Sequence, residues 1–171
     1  MLSSYWLCAP FVLQMLCMAA DEFWFHRKRM LPRWERIGHP LDTLTVVLCL
    51  VWIFCVQPDR HTVLVFVALG VFSSVFVTKD EPVHQSHCSA AEHWIHAILF
   101  LLHPLVLASA ALLWPAIRSS SPAARLWAVQ YSGFERPFLL FSCALMIGFG
   151  IYQFVFWNLL WHPRETARKI Q

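Results

Sequence analysis

The sequence predicts an all-α integral membrane fold, a bundle of five transmembrane helices, and three observations predict it. Charged residues make up 13% of the chain and hydrophobic ones 58%, where an ordinary soluble domain carries roughly 25% charged residues. Fourteen Phe and nine Trp supply an aromatic load suited to interfacial belts. Five apolar runs approach the roughly 17–25 residues that a helix rising about 1.5 Å per residue needs to cross a bilayer. At 171 residues a single transmembrane domain, 1–171, is expected.

The first run covers 5–25, interrupted by Gln14 and ending in Asp21 and Glu22. It has no basic leader and no small-residue cleavage site, so it reads as a retained span rather than a signal peptide. The second, 41–56, is the shortest. A tight polar turn, Gln57-Pro58-Asp59-Arg60, leads from it to the third run, 62–78. The fourth covers 91–114, with Pro104 as a kink. The fifth covers 137–161, where Pro137 suits a first helical turn. Ser121-Pro122 would start a short interfacial helix over 122–130. No internal repeat or low-complexity segment is present. Six cysteines form no C-x-x-C pair and four lie in apolar runs, which argues against a disulfide framework.

Basic residues orient the bundle. Arg27, Lys28, Arg29, Arg33, Arg36, Lys79, Arg164, Arg168 and Lys169 fall on one side of a five-span chain, and Arg60, Arg118, Arg125 and Arg136 on the other. The expectation is an N-terminus outside and a C-terminus in the cytoplasm, in a bacterial inner membrane or its equivalent. The net charge of +3 is small, and basic residues are not interleaved with aromatics in a soluble segment, so nucleic acid is excluded as a partner. The partners expected are the bilayer, a lipid-like small molecule, and either a second copy or another membrane subunit.

This topology, drawn from Lys and Arg alone, gathers the metal-ligating residues into one layer. His26, His39, His84, His87, His93, His96 and His162 fall at the cytoplasmic ends of the runs, with eight of the ten acidic residues. Glu22 and His26 are four apart and share a helix face, as do Glu92 and His96. His103 lies three turns beyond Glu92 on the same face, inside the fourth run. Glu81 and His84 have the Glu-x-x-His spacing used in di-iron bundles, although Pro82 places them in a loop. Carboxylates offset a metal's charge while imidazoles supply stronger donor bonds, and ionisable groups at membrane depth are costly unless used. The expected ligands are therefore Glu22, His26, His84, Glu92, His96 and His103, with Glu81 and His87 as catalytic groups.

Blander readings stand beside these. Ser89-x-x-Glu92 is a capping box, and Asp42 suits an N-cap. Asp21 and Glu22 can pair with Arg27 or Lys28, and His26 and His93 can sit in the interfacial belt. Glu35, among arginines, reads as a solvated ion-pair partner of little energetic worth, and His39, before Pro40, as a loop residue. The residues point to a membrane metalloenzyme with a mono- or dinuclear centre at the cytoplasmic boundary, iron or manganese ahead of zinc. It would oxidise or hydrolyse a lipid-like or quinone-like substrate. The alternatives are a metal-ion or proton-coupled transporter or metal-handling protein, a bis-histidine haem protein, and a non-catalytic accessory subunit. A P-loop, a dinucleotide fingerprint, a nucleophile elbow and paired His-His boxes are all absent from the sequence.

Overall fold

The protein, as a computed structural model, is described over residues 2–118 and 128–161. Five helices are long and apolar enough to cross a membrane: α1 (Ser4–Arg29), α2 (Arg33–Cys55), α3 (Arg60–Gln85), α4 (Ala90–Arg118) and α5 (Glu135–Leu160). The most extensive contacts run between α1 and α4 and between α2 and α5. At the end where the chain starts, β1 (Leu2–Ser3) pairs in parallel with β2 (Val129–Gln130). The interfacial helix expected at 122–130 falls mostly outside the described residues, and its last two positions are extended rather than helical.

The helices are longer at the polar end than hydropathy alone indicated. The second begins at Arg33, eight residues before the expected 41, and carries Pro40 inside it. Proline removes the N–H that would bond to the carbonyl four residues back, here Arg36. That carbonyl accepts instead from Asn158 Nδ2 of α5 at 3.0 Å, so the helix continues with its backbone satisfied. His39 is therefore a helical residue and not a loop residue, and Asp42 lies well inside the helix rather than capping it. α3 likewise runs on through a 3₁₀ turn, Val77–Asp80, into helical Glu81–His87. Pro82 sits in that first turn, where its missing N–H costs nothing, so the loop expected around Glu81 is helix.

The half of the bundle nearer β1 and β2 is filled by apolar side chains. Phe11, Leu50, Ile53, Val106, Leu113 and Leu139 are each inaccessible to solvent. Apolar residues also face outward, among them Leu16, Val71, Phe72, Val75, Leu101 and Phe141. Buried carboxylates under an apolar exterior reverse the order of a water-soluble protein.

Candidate metal centre

The centre begins with a local distortion of α1. Over Asp21–His26 the helix is a π-helix, whose i→i+5 bonding brings residues five apart onto one face. Asp21 Oδ2 thereby comes 3.0 Å from His26 Nε2, while Glu22 Oε2 keeps the four-residue contact with His26 Nδ1 at 3.3 Å. The four-residue spacing puts Glu22 at the site, while Asp21, left out of the expected ligands, shares with Glu22 the alternative of pairing with Arg27 or Lys28. The widened turn makes Asp21 a second carboxylate on the inner face. Arg27 and Lys28 lie elsewhere: Arg27 donates to Tyr152 Oη, and Lys28 stands over the Trp24 ring.

Across the α1–α4 contact, His96 Nε2 lies 3.2 Å from each oxygen of Asp21, and Glu92 Oε1 is 4.0 Å from His26 Nε2. Ligand atoms of Asp21, His26, Glu92 and His96 all fall within 4.8 Å of one another, and all four residues are buried. Glu92 has two further roles. It completes the capping box with Ser89, and it accepts from Arg29 Nε at 2.8 Å. Arg29 also clasps Glu35 through two bonds of 3.2 and 2.6 Å. Glu35 is inaccessible to solvent, so it is no solvated surface partner. The extended start of α2 carries it under α1.

α2 and α3 add a second set of groups. His39 stands 4.8 Å from His26 by ring centroid and 6.2 Å from His84. His84 in turn is 4.1 Å from His96. Asp80, buried at the end of α3, accepts from Lys79 at 3.0 Å, and Lys79 also donates to Asp42 at 2.6 Å. α5 supplies only neutral donors. Trp157 Nε1 at 2.8 Å and Tyr152 Oη at 3.0 Å hold Glu22 Oε1, fixing the carboxylate that orients His26.

The sequence-expected residues thus separate by position. His26, Glu92 and His96 meet with Asp21, and Glu22 touches His26 from behind. His84 enters the adjoining group with His39 and Asp80. His103 is bonded through Nε2 to Ser73 Oγ at 2.8 Å and belongs to none of the converging groups among the described residues. Glu81 lies at the rim, 4.0 Å from His84 Nδ1. His87 is exposed and bonds back to the Val83 carbonyl at 3.0 Å. Sequence reasoning missed Asp21, Glu35, His39 and Asp80 as members of one cluster. Their depth follows from the π-turn and from two helices that continue past prolines.

Two physical features mark the layer. Among the described residues, buried Asp21, Glu22, Glu35, Asp80 and Glu92 are met by only two fixed cations, Arg29 and Lys79. Buried carboxylates in excess of their cations are costly, and protonation of a carboxylate, an imidazolium or a metal ion can each supply the balance. In addition, His39 Nε2, Asp80 Oδ1, His96 Nδ1 and both ring nitrogens of His84 are buried without a hydrogen-bond partner among the described residues. Such groups are rare in native structures, and a role in binding an ion is one reason for them. Cys88, in the turn before α4, is near the same groups. Burial first, with the Glu92 carboxylate adding to it against the opposing pull of Arg29, pushes its thiol up to about 12.

A cavity of about 90 Å³ opens on this layer. Asp21, His39, Asp80, His84, His96 and His103 are among its polar lining, and Met18, Val46, Leu99, Phe100 and Phe149 among its apolar lining. A larger cavity of about 310 Å³ between α1 and α5 is lined by Met, Leu, Ala and Phe side chains, and it shares Met18 and Phe149 with the first. The class these features define is a five-helix bundle with a buried histidine–carboxylate centre at one end. No protein-family model, curated protein or solved structure matches the chain, so the reading of its centre rests on its own residues.

Proposed function

We propose that the protein is a membrane-embedded, metal-dependent enzyme whose ion is held by Asp21, His26, Glu92 and His96 and which acts on a lipid-like or quinone-like substrate. The observation that carries this is the convergence of those four buried ligand atoms beside unpartnered imidazole nitrogens. Two carboxylates and two imidazoles favour iron or manganese ahead of zinc. With iron, the reaction is an oxygen-dependent oxidation of the substrate at the cavity. Hydrolysis by a metal-bound hydroxide is the second reading, favoured by a 90 Å³ cavity large enough for a few waters. That volume suits an ion and its waters rather than a porphyrin. The apolar cavity behind Met18 and Phe149 would take the substrate's chain from the lipid side.

The tightly packed apolar half of the bundle favours a reaction site over a transport path. Phe11, Leu50, Leu113 and Leu139 close the interior beyond the cavity and offer no polar route. In the orientation set by the basic residues, the centre faces the cytoplasm. A reporter fused after residue 171 should be active only on that side.

Elemental analysis of detergent-purified protein tests the metal. Wild type should carry iron or manganese stoichiometrically, and Asp21→Asn and His96→Ala should lose it while retaining helicity. A wild-type protein that binds neither metal nor zinc after reconstitution overturns the reading. Incubating the iron-loaded protein with membrane lipid extract, oxygen and a chemical two-electron donor separates the two chemistries by mass: gain of one oxygen atom, the other leaving as water, or cleavage of an ester.

A further inference from the structure

We propose that His39, Asp80 and His84 form a second metal site, which makes the centre dinuclear. This rests on the metal reading above and extends it to α2 and α3. Ligand atoms of these three residues lie within 4.8 Å of one another, and the group shares no residue with Asp21, His26, Glu92 and His96.

Three independent features point to a cation here. The first is unmet valence. His84 is 3% exposed, yet neither ring nitrogen has a hydrogen-bond partner. Among the described residues, its only carboxylate in ion-pair range is Glu81 at 4.0 Å, and His39 Nε2 has only Glu35 at 3.9 Å. A neutral imidazole offers one donor and one acceptor, so a buried one with both idle is poised for a ligand. The second is orientation. Lys79 holds Asp80 Oδ2 at 3.0 Å and is anchored in turn by Asp42, which leaves Asp80 Oδ1, 1% exposed as a residue, without a partner. Outer partners that fix one oxygen of a carboxylate and leave the other available are typical of metal ligands.

The third is room made in the backbone. A Cβ at Gly38 would stand 2.9 and 3.0 Å from the two oxygens of Asp80 and 3.2 Å from Lys79 Cε. Only glycine lets that carboxylate lie against α2, one residue before His39. The helix pays for it in flexibility, and the close approach of Asp80 is what it gains. The two sites also adjoin. His84 packs 4.1 Å from His96 and His39 packs 4.8 Å from His26, so ring pairs join one site to the other. Residues of both sites, Asp21 and His96 with His39, Asp80 and His84, line one cavity. Two-metal centres bind a substrate oxygen between ions roughly 3.5–4 Å apart, and a shared open wall is what that chemistry requires.

The probe is Mn²⁺ alone, titrated into metal-free full-length protein in detergent. Wild type should bind two ions and show the spin-coupled multiline resonance of a manganese pair. Gly38→Ala and His84→Ala should each bind one ion and show an uncoupled signal. One ion in wild type, unchanged in both variants but lost in His96→Ala, overturns the second site and leaves the first standing. No bound ion in wild type overturns both. The wild-type resonance reads nuclearity even where a variant fails to fold.

Discussion

Both ends of the bundle bury carboxylates, and they do so differently. At the β1–β2 end, Glu135 receives the backbone N–H groups of Ser132 and Gly133 at 2.6 and 2.8 Å and the Ser132 hydroxyl at 3.1 Å. These donors come from the three preceding residues, with the Ser4 hydroxyl of α1 alongside; both oxygens are occupied, and the group closes the start of α5. At the other end, Glu22, Glu35 and Glu92 receive donors from other segments of the chain, and imidazole nitrogens remain without partners. Burial of a charged side chain is therefore not what marks a site. Valence left over after all local partners are counted is what marks it.

The largest effect expected from breaking this comparison comes at Arg29. Arg29→Met leaves Glu35 and Glu92 buried without their shared cation. Removing one member of a buried ion pair costs about 3–5 kcal/mol, so thermal unfolding in detergent should show a severe loss. Excess Mn²⁺ should restore part of it by supplying positive charge to the same carboxylates. An unchanged melting temperature would show that this clasp does not hold the polar end together.

The opposite end gives the next effect. Leu113→Ala empties a fully buried position of the apolar core. In soluble proteins such a change costs about 2–5 kcal/mol. In the membrane setting proposed above, lipid is as apolar as leucine, so the transfer part fades and packing remains, which places this change near the low limit, about 2 kcal/mol. Metal content should not move. If it falls with stability, the two ends are one cooperative unit rather than a scaffold and a site.

Much of this was legible in the sequence, and the errors share one origin. Hydropathy located five helices because outward apolar faces and an apolar core both write themselves into composition. The i, i+4 spacing located the faces of His26 and His96. What composition cannot report is how far a helix runs past its apolar part. Arg33 to Asp42 is too polar to read as a span, and Pro40 reads as a stop. The chain continues because Asn158, more than a hundred residues away, takes the carbonyl that Pro40 strands. Glu35 and His39 are carried inside by that continuation. Asp21 was misplaced for a similar reason: a π-turn changes the period from which facing is inferred, and no local residue pattern announces it.

Identical substitutions at the two ends sharpen the contrast. Glu22→Gln removes the charge behind His26 while leaving the shape for Trp157 and Tyr152. Losing an outer partner of a metal ligand typically lowers affinity about 10–100-fold, and Mn²⁺ titration should show a drop of that order with the number of ions unchanged. Glu135→Gln should leave the affinity alone. A parallel loss at both positions would mean that metal binding reports only general stability.

The smallest effect lies at mid-depth, where the two regions meet. Ser73 Oγ contacts both Thr45 Oγ1 at 2.6 Å and His103 Nε2 at 2.8 Å. Ser73→Ala leaves Thr45 its bond to the Asp42 carbonyl at 2.8 Å but strips His103 of this hydroxyl partner. The cost should be about 1 kcal/mol, the net worth of one ordinary hydrogen bond. The direction of any metal effect matters more than its size. If His103 is a wall of the cavity held by Ser73, manganese affinity stays as it was. If His103 is a ligand in reserve, freeing its nitrogen raises the affinity, and the centre extends about two turns deeper along α4 than His96 marks it.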